Sequence, residues 1–388
     1  MRITLTDDQI ELQRSVRSLF AKECPPELVR ELRADDTTMD PQRLWTSLAD
    51  TGILGLPFSE DVGGQGAGLF ELGLVLQEAG RVLCPTIVYS TLAFGITIDR
   101  LGSPEQRRRW LRSLAAGELR ASTALWNPSD SGDIRPTVTA RRDGDTWHLA
   151  GTIDFVQNAD VVDAVLVSAR TLPEDGPERT LAFILTPGQD GWRSERHRTF
   201  GRDIQCRVHL DLAVHADDDR VIDLLDGGLD ESDLRWVANA VTALQCMEMV
   251  GGAAAVLDRT VDYVKVREQF GRPLAGFQAV QHLVADAHIA VAGARLVAAQ
   301  ACWRTARGEL AEREVAIAKL HSNEAYKLAT LNAHQAHGGM GYILETGLHM
   351  WSERAKTAEL LGGAWDTQIG RLEQALGLVG APAERTTP

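Results

Sequence analysis

Arg267 and Phe270 stand three residues apart at the end of one helical pattern, and Gln335, Gly338 and Gly339 close another. A guanidinium offers a planar fork to phosphate oxygens, and an adjacent ring gives a flat base something to pack against. Gly338 and Gly339 remove side chains where backbone must approach a ligand closely. Gln335 offers both a donor and an acceptor to a nucleotide edge. Together these residue types suit the binding of a nucleotide diphosphate. Either group alone has a plainer reading, with Arg267 as a surface helix charge and the glycines as a helix break.

Other chemistry is poorly supported. Gly63-Gly64-Gln65-Gly66-Ala67-Gly68 looks like a phosphate loop, but its spacing is not GxGxxG and Pro57-Phe58-Ser59-Glu60-Asp61 before it is no strand. A turn between helices is the better reading. Cys24, Cys84, Cys206, Cys246 and Cys302 are scattered, with no CxxC pair. They read as buried apolar residues in a reducing compartment. His334 and His337 are close in sequence but lack an acidic co-ligand, so no metal site is expected. The 388 residues carry 40 Lys and Arg against 54 Asp and Glu, a formal charge of −14. Such a surface repels nucleic acid, and Arg107-Arg108-Arg109 is its densest basic run. The N-terminus lacks the apolar core of a signal peptide, and no apolar run of about 20 residues is apparent. The expectation is a cytoplasmic protein with no membrane partner.

These residues need elements to position them. With 44% hydrophobic and 24% charged residues, the chain has globular composition and length for two or three domains. Thr6 can cap a helix through Ile10, Leu12, Val16 and Phe20, and helical patterns recur at Leu72 to Gly80 and Pro104 to Ala116. From about Ala124 the period becomes two: Val208, Leu210, Leu212 and Val214 alternate with polar residues, and Asp143-Gly144-Asp145 reads as a hairpin turn. Helical periodicity returns from about Ser232, with long alanine-rich stretches at Ala279 to Arg307 and Glu314 to Ala336. The fold class is therefore α+β: a helical domain over 1–122, an antiparallel β domain over 123–227, a four-helix bundle over 228–380 and a disordered tail over 381–388.

This order resembles the acyl-CoA dehydrogenase family, and three stretches carry the resemblance. Arg267-Glu268-Gln269-Phe270-Gly271-Arg272-Pro273, with Phe277-Gln278 and Ala285-Asp286, is similar to its RxxFG…FQ…LAD pattern. Gln335-Ala336-His337-Gly338-Gly339-Met340-Gly341-Tyr342 is similar to QxxGGxGY. Val62 to Gly66 with Gly102 to Leu114 is similar to the family's N-terminal loop and helix. The resemblance implies FAD as cofactor. It also implies that Arg267, Phe270, Gln278, Gln335, Gly338 and Gly339 clasp an FAD bound mainly by a neighbouring subunit, and hence an oligomer.

The departures from the family pattern concern catalysis. Dehydrogenation of an acyl thioester needs a carboxylate to remove the α-proton, within hydrogen-bond reach of it. The YEGT-like loop that supplies it in many members reads Leu361-Gly362-Gly363-Ala364 here, placing Gly362 at the glutamate position. The alternative position, early in the first bundle helix, falls near Val241-Thr242. Asp366, four residues after Gly362, is the weak remaining candidate. Glu353 and Glu359 read as exposed helix charges, and His337 as a packing or nucleotide-edge residue. On the β domain, Ala124-Leu125-Trp126-Asn127-Pro128 stands where the family has its L-T-E-P stretch. Phe155 keeps an aromatic wall, and Gln157 replaces the hydroxyl that bonds flavin N5 in the family. Leu125, Trp126, Phe155 and Gln157 are thus the weaker flavin candidates.

The function implied is an FAD-dependent dehydrogenase acting on a CoA- or carrier-linked acyl thioester. With both base positions vacant, the chain is similar to the base-lacking partner subunits of actinobacterial heteromeric acyl-CoA dehydrogenases. Its partners would be a homologous base-bearing subunit and an electron-transfer flavoprotein. The alternatives are a flavin monooxygenase on the same fold and a non-catalytic scaffold subunit.

Overall fold

The computed structural model describes residues 4–34, 41–124, 127, 133–173, 178–222 and 228–378. The first helix, α1 (Asp7–Glu23), starts as the sequence reading requires. Thr6 Oγ1 accepts from the Gln9 amide while the Gln9 side chain accepts from the Thr6 amide, closing a capping box. Helices α2 (Pro26–Leu32), α3 (Gln42–Asp50), α4 (Leu69–Arg81), α5 (Thr86–Leu101) and α6 (Pro104–Ala115) follow. The glycine-rich 63–68 segment is a packed turn between helices. A Cβ at Gly64 would fall 2.1 Å from the Phe58 carbonyl, so its glycine serves the chain's own backbone.

Eight strands form one sheet: β1 (Ala121–Ala124), β2 (Val138–Asp143), β3 (Thr146–Gln157), β4 (Ala164–Thr171), β5 (Thr180–Leu185), β6 (Trp192–Arg196), β7 (Gln205–His215) and β8 (Val221–Ile222). The Gly144-Asp145 turn joins β2 to β3, with Gly144 left-handed at φ +57°. Strand β7 buries Val208, Leu210, Leu212 and Val214 on one face, as its alternation predicts. One expectation needs correction. The sheet is mixed, because β4 runs parallel to both β1 and β2, while its other pairs are antiparallel. The intervening chain carries β4 back across the sheet, which a local alternation pattern cannot report.

The C-terminal domain is built on α7 (Glu231–Val266), α8 (Gln278–Ala306) and α9 (Glu312–His337), completed by α10 (Leu348–Leu360) and α11 (Trp365–Ala375). A short hairpin, β9 (Glu268–Gln269) with β10 (Arg272–Pro273), links α7 to α8. Strand β1 begins at Ala121 and α7 at Glu231. The 381–388 tail lies outside the described residues. All five cysteines are buried thiols.

Helices α4 and α7 meet backbone to backbone. A Cβ at Gly80 would fall 1.9 Å from the Glu248 carbonyl oxygen, and one at Gly251 would fall 1.8 Å from the Gln77 carbonyl oxygen. The two glycines are a reciprocal pair that lets the helical domains touch where any side chain would hold them apart.

Helices α7 and α8 also correct the expectation that no segment is long and apolar enough to span a bilayer. Each contains an 18-residue window that passes by length and composition. Small residues raise the mean hydropathy without bulk, so the eye misses them. Most of the α7 window is buried in the core, whereas most of the α8 window faces outward.

Candidate functional site

The two positions where a base was sought converge in space. Gly362 sits between α10 and α11 with φ +72°, and a Cβ there would lie 3.2 Å from Thr242 Oγ1 and 3.4 Å from Gln245 Oε1. Val241, beside Thr242 on α7, is buried, and its carbonyl accepts a 2.9 Å hydrogen bond from Tyr89 of α5. Gly362, Val241, Thr242 and Gln245 are all neutral, so none can take a proton as a carboxylate would. Gln368 holds the loop from below: its Nε2 donates to the Gly362 carbonyl at 2.7 Å and to that of Gly363 at 3.3 Å. Asp366, by contrast, is exposed in the first turn of α11. Glu353 pairs with Arg33, and Glu359 with Lys356 at 3.0 Å.

Sequence reasoning missed the cation beneath this cluster. Lys319 of α9 is fully buried, and its Nζ donates to Gln245 Oε1 at 3.1 Å and to the Ala358 carbonyl, with Met249 Sδ at 3.7 Å. All three partners are neutral. Burial pushes the Lys319 ammonium down to about 8, against weaker opposing fields from Cys246, Glu359 and Glu248. The signal was available: Lys319 follows Val315 by four residues on the buried side of α9.

On the β domain, Phe155 has a backbone conformation that bulky residues rarely adopt. Its φ is +59°, at an irregularity in the β3–β7 register between Ile153 and Val156. The strained turn leaves the ring about half exposed and stacked on His197, with centroids 4.9 Å apart. Asp154 fixes His197 from the other side at 2.9 Å while accepting from Arg207 at 2.7 and 3.0 Å. The Arg207 bond is the main cause that holds the Asp154 carboxyl below its usual range. Strain of this kind persists where the surroundings enforce it, and it accumulates at ligand sites. Gln157 is buried two residues on, and Asn158 (φ +56°) ties the sheet to α5 by donating to Ser90 Oγ at 3.0 Å. Leu125 and Trp126 fall outside the described residues.

The clasp residues gather at one end of the bundle. Arg267 caps α7 and Gly338 caps α9, and the two ends are joined by Tyr263 and His337. The Arg267 guanidinium is exposed and bonds to no described residue. Phe270 is 91% exposed at φ +54°, its ring edge-on to Phe277 at 6.2 Å. Gln278, the first residue of α8, and Gln335 are exposed as well. A Cβ at Gly338 or Gly339 would meet nothing within 4 Å, so these glycines face space rather than the chain's own packing. An unpaired guanidinium, an outward ring and a cradle free of side chains suit the diphosphate and flat base of FAD.

The family model for the acyl-CoA dehydrogenase N-terminal domain matches residues 6–118, and that for the C-terminal domain matches 239–377. Acyl-CoA dehydrogenase FadE27 of Mycobacterium tuberculosis is 31% identical, covering 97% of this chain and 99% of its own. The chain belongs to the acyl-CoA dehydrogenase family. This is a family of flavoprotein oxidoreductases, and the sequence reading had identified it. Among solved structures, the ChsE4-ChsE5 complex of Mycobacterium tuberculosis is similar at 29% identity and a TM-score of 0.87, over 98% of this chain and 100% of that one. The Tcur3481-Tcur3483 steroid ACAD G363A variant is also 29% identical, with a TM-score of 0.85 over 97% and 99%.

Proposed function

We propose that this acyl-CoA dehydrogenase-family chain is the base-lacking subunit of a hetero-oligomer, completing the FAD site of a homologous, base-bearing partner. The observation that carries the reading is an imbalance within one molecule. The position facing Thr242 and Gln245 holds Gly362, and none of these three is a carboxylate, whereas Arg267, Phe270, Gln335 and Gly338-Gly339 are all present and exposed. A chain without flavin chemistry of any kind has no physical need for the clasp.

When bound, FAD supplies a hydride acceptor for α,β-dehydrogenation of an acyl thioester. This chain's residues contribute binding and orientation. Arg267 would hold diphosphate oxygens, Phe270 would cover the base, and Gln335 and Gln278 would fix the nucleotide by hydrogen bonds, as the family resemblance implies. On this chain's own side, Gly362 brings no carboxylate and Gln157 stands where the family resemblance implies a hydroxyl, so the thioester would be held and deprotonated by the partner's residues.

Exposed apolar surface supports an oligomer. Val266, Phe270, Tyr342 and Leu344 are largely exposed around the clasp, and Ile289 and Leu296 lie open on α8. Clusters of this kind mark protein interfaces. Two similar solved structures pair two named chains, ChsE4-ChsE5 and Tcur3481-Tcur3483, and this favours an assembly of the kind proposed here.

The test is purification of the chain alone and with its homologous neighbour, followed by mass measurement and flavin absorbance. A stoichiometric mixed oligomer, yellow and active only when both chains are present, is the expected result. A lone chain that dehydrogenates an acyl-CoA at ordinary rates overturns the proposal. So does a yellow homo-oligomer that consumes reduced flavin and oxygen.

A further inference from the structure

Lined by neither the clasp residues nor Gly362, a cavity of about 250 Å³ is enclosed by α2, the start of α5, the β domain and α10. Its polar lining is dominated by cations. Arg33 and Arg354 both face it with their side chains only about one-eighth exposed, and Arg202 joins them from the loop before β7. Leu32, Leu83, Ile87, Val161 and Ile204 supply an apolar wall.

The arginines are incompletely compensated. Arg354 donates to the Cys84 carbonyl at 2.6 Å, but its Nε is buried with no hydrogen-bond partner among the described residues. The nearest carboxylate to that atom, Glu248, is 3.8 Å away, and burial raises the Glu248 carboxyl above its usual range. Arg33 has Glu353, yet its own proton affinity falls through burial and through the field of Arg354. Asp203 lines the cavity, but its carboxylate accepts from Thr199 Oγ1 at 3.1 Å and Gln205 Nε2 at 2.6 Å. Arg202 is held at φ +53° and bonds through its side chain to no described residue. Two desolvated guanidiniums and a third in a strained backbone share a small, half-apolar space. Packing alone does not favour gathering like charges this way, because each desolvated cation needs hydrogen-bond acceptors.

We propose that this cavity binds a small organic carboxylate carrying a short apolar body, with Arg202 and Arg354 taking the carboxylate and the Leu83–Ile87 side taking the chain. The planar guanidinium fork matches a carboxylate, and the wall matches hydrocarbon. The proposal is independent of the hetero-oligomer reading, because neither Gly362 nor any clasp residue lines the cavity. The carboxylate can belong to a free acid or to the far end of a thioester-linked acyl chain.

Titration calorimetry on the full chain, with its partner subunit where one co-purifies, tests this with hexanoate against hexanol. Saturable hexanoate binding with no hexanol binding is expected. Arg202→Asn, which removes the charge but tolerates the left-handed backbone, should weaken hexanoate by about tenfold. Adipoyl-CoA against hexanoyl-CoA separates the two sources. Tighter adipoyl-CoA assigns the site to an acyl terminus, and equal binding of the two with hexanoate retained assigns it to a free acid. Hexanol binding as tightly as hexanoate, unchanged affinity in Arg202→Asn, or no saturable binding of either hexanoate or adipoyl-CoA overturns the proposal. If Arg202→Asn does not fold, the hexanoate–hexanol contrast in the unmodified chain decides.

Discussion

Tyr263 and His337 stack face to face, their ring centroids 4.1 Å apart and their planes inclined by 16°. Each lies within one helical turn of a clasp element, Tyr263 four residues before Arg267 and His337 next to Gly338. The stack therefore sets the spacing of the two helix ends that carry Arg267 and Gly338. His337 Nδ1 lies 2.8 Å from the Ala333 carbonyl, and burial lowers the ring's proton affinity. A histidine whose folded value is depressed binds fewer protons folded than unfolded just below its ordinary range. Stability contributed by the neutral ring is thus present above about pH 6.5 and is lost as the pH falls. Thermal melts should show the unmodified protein losing more stability between about pH 7 and pH 5 than His337→Phe, which keeps a ring without a titrating nitrogen. Equal losses would separate His337 from this behaviour.

Arg267→Ala should weaken FAD retention by about 1.5–3 kcal/mol, the scale of a hydrogen bond to a charged group, and so by tenfold or more. Flavin content of the assembled oligomer after dialysis at limiting FAD measures it. Unchanged content removes Arg267 from the site.

Installing a carboxylate at the vacant position should not restore dehydrogenation. Gly362→Glu forces a side chain onto a left-handed residue at φ +72°, which costs of order 1–2 kcal/mol in a urea melt. Its Cβ would also press on Thr242 Oγ1 at 3.2 Å. Activity of the lone chain should stay at background, because Trp126 and Gln157 also depart from the family pattern on this side of the cleft. A large gain in acyl-CoA turnover would show that only the base was missing.

Lys319 gives a pH signature of opposite range. Its folded value of about 8 lies below the ordinary lysine range, so the folded state binds fewer protons than the unfolded state between the two. Stability should rise as pH increases through that window. Relative to Lys319→Met, which cannot titrate, the unmodified protein should gain up to about 3 kcal/mol between about pH 8 and pH 10.5, at 1.36 kcal/mol per unit. Parallel denaturant curves for the two proteins across that window would refute the assignment.

What the sequence made legible was what lies close together along the chain. The Thr6 cap, the β7 alternation, the 143–145 turn and the spans of α8 and α9 all depend on neighbours within a few residues, where local rules apply. The placement of Arg267 and Phe270, and of Gln335 and Gly338, at helix ends was legible because each is a local pair. The parallel pairing of β4 was not legible, because it depends on a crossover. Nor was the meeting of Arg33, Arg202 and Arg354, which belong to three different domains and carry no shared spacing. The contact between Gly362 and Thr242 joins two positions first considered as alternatives, and only tertiary packing shows them to be one place.

The reciprocal Gly80 and Gly251 contact has a mechanical consequence. With backbone pressed on backbone at two points along the α4–α7 seam, sliding either helix past the other drives Cα into carbonyl oxygen at once. The seam resists shear, so the amino- and carboxy-terminal helical domains behave as one rigid frame. Asn158, Ser90 and Thr86 attach the sheet to that frame through side-chain hydrogen bonds instead. Such bonds can lengthen or exchange partners with water at small cost. The join between sheet and helices is therefore softer than the α4–α7 seam.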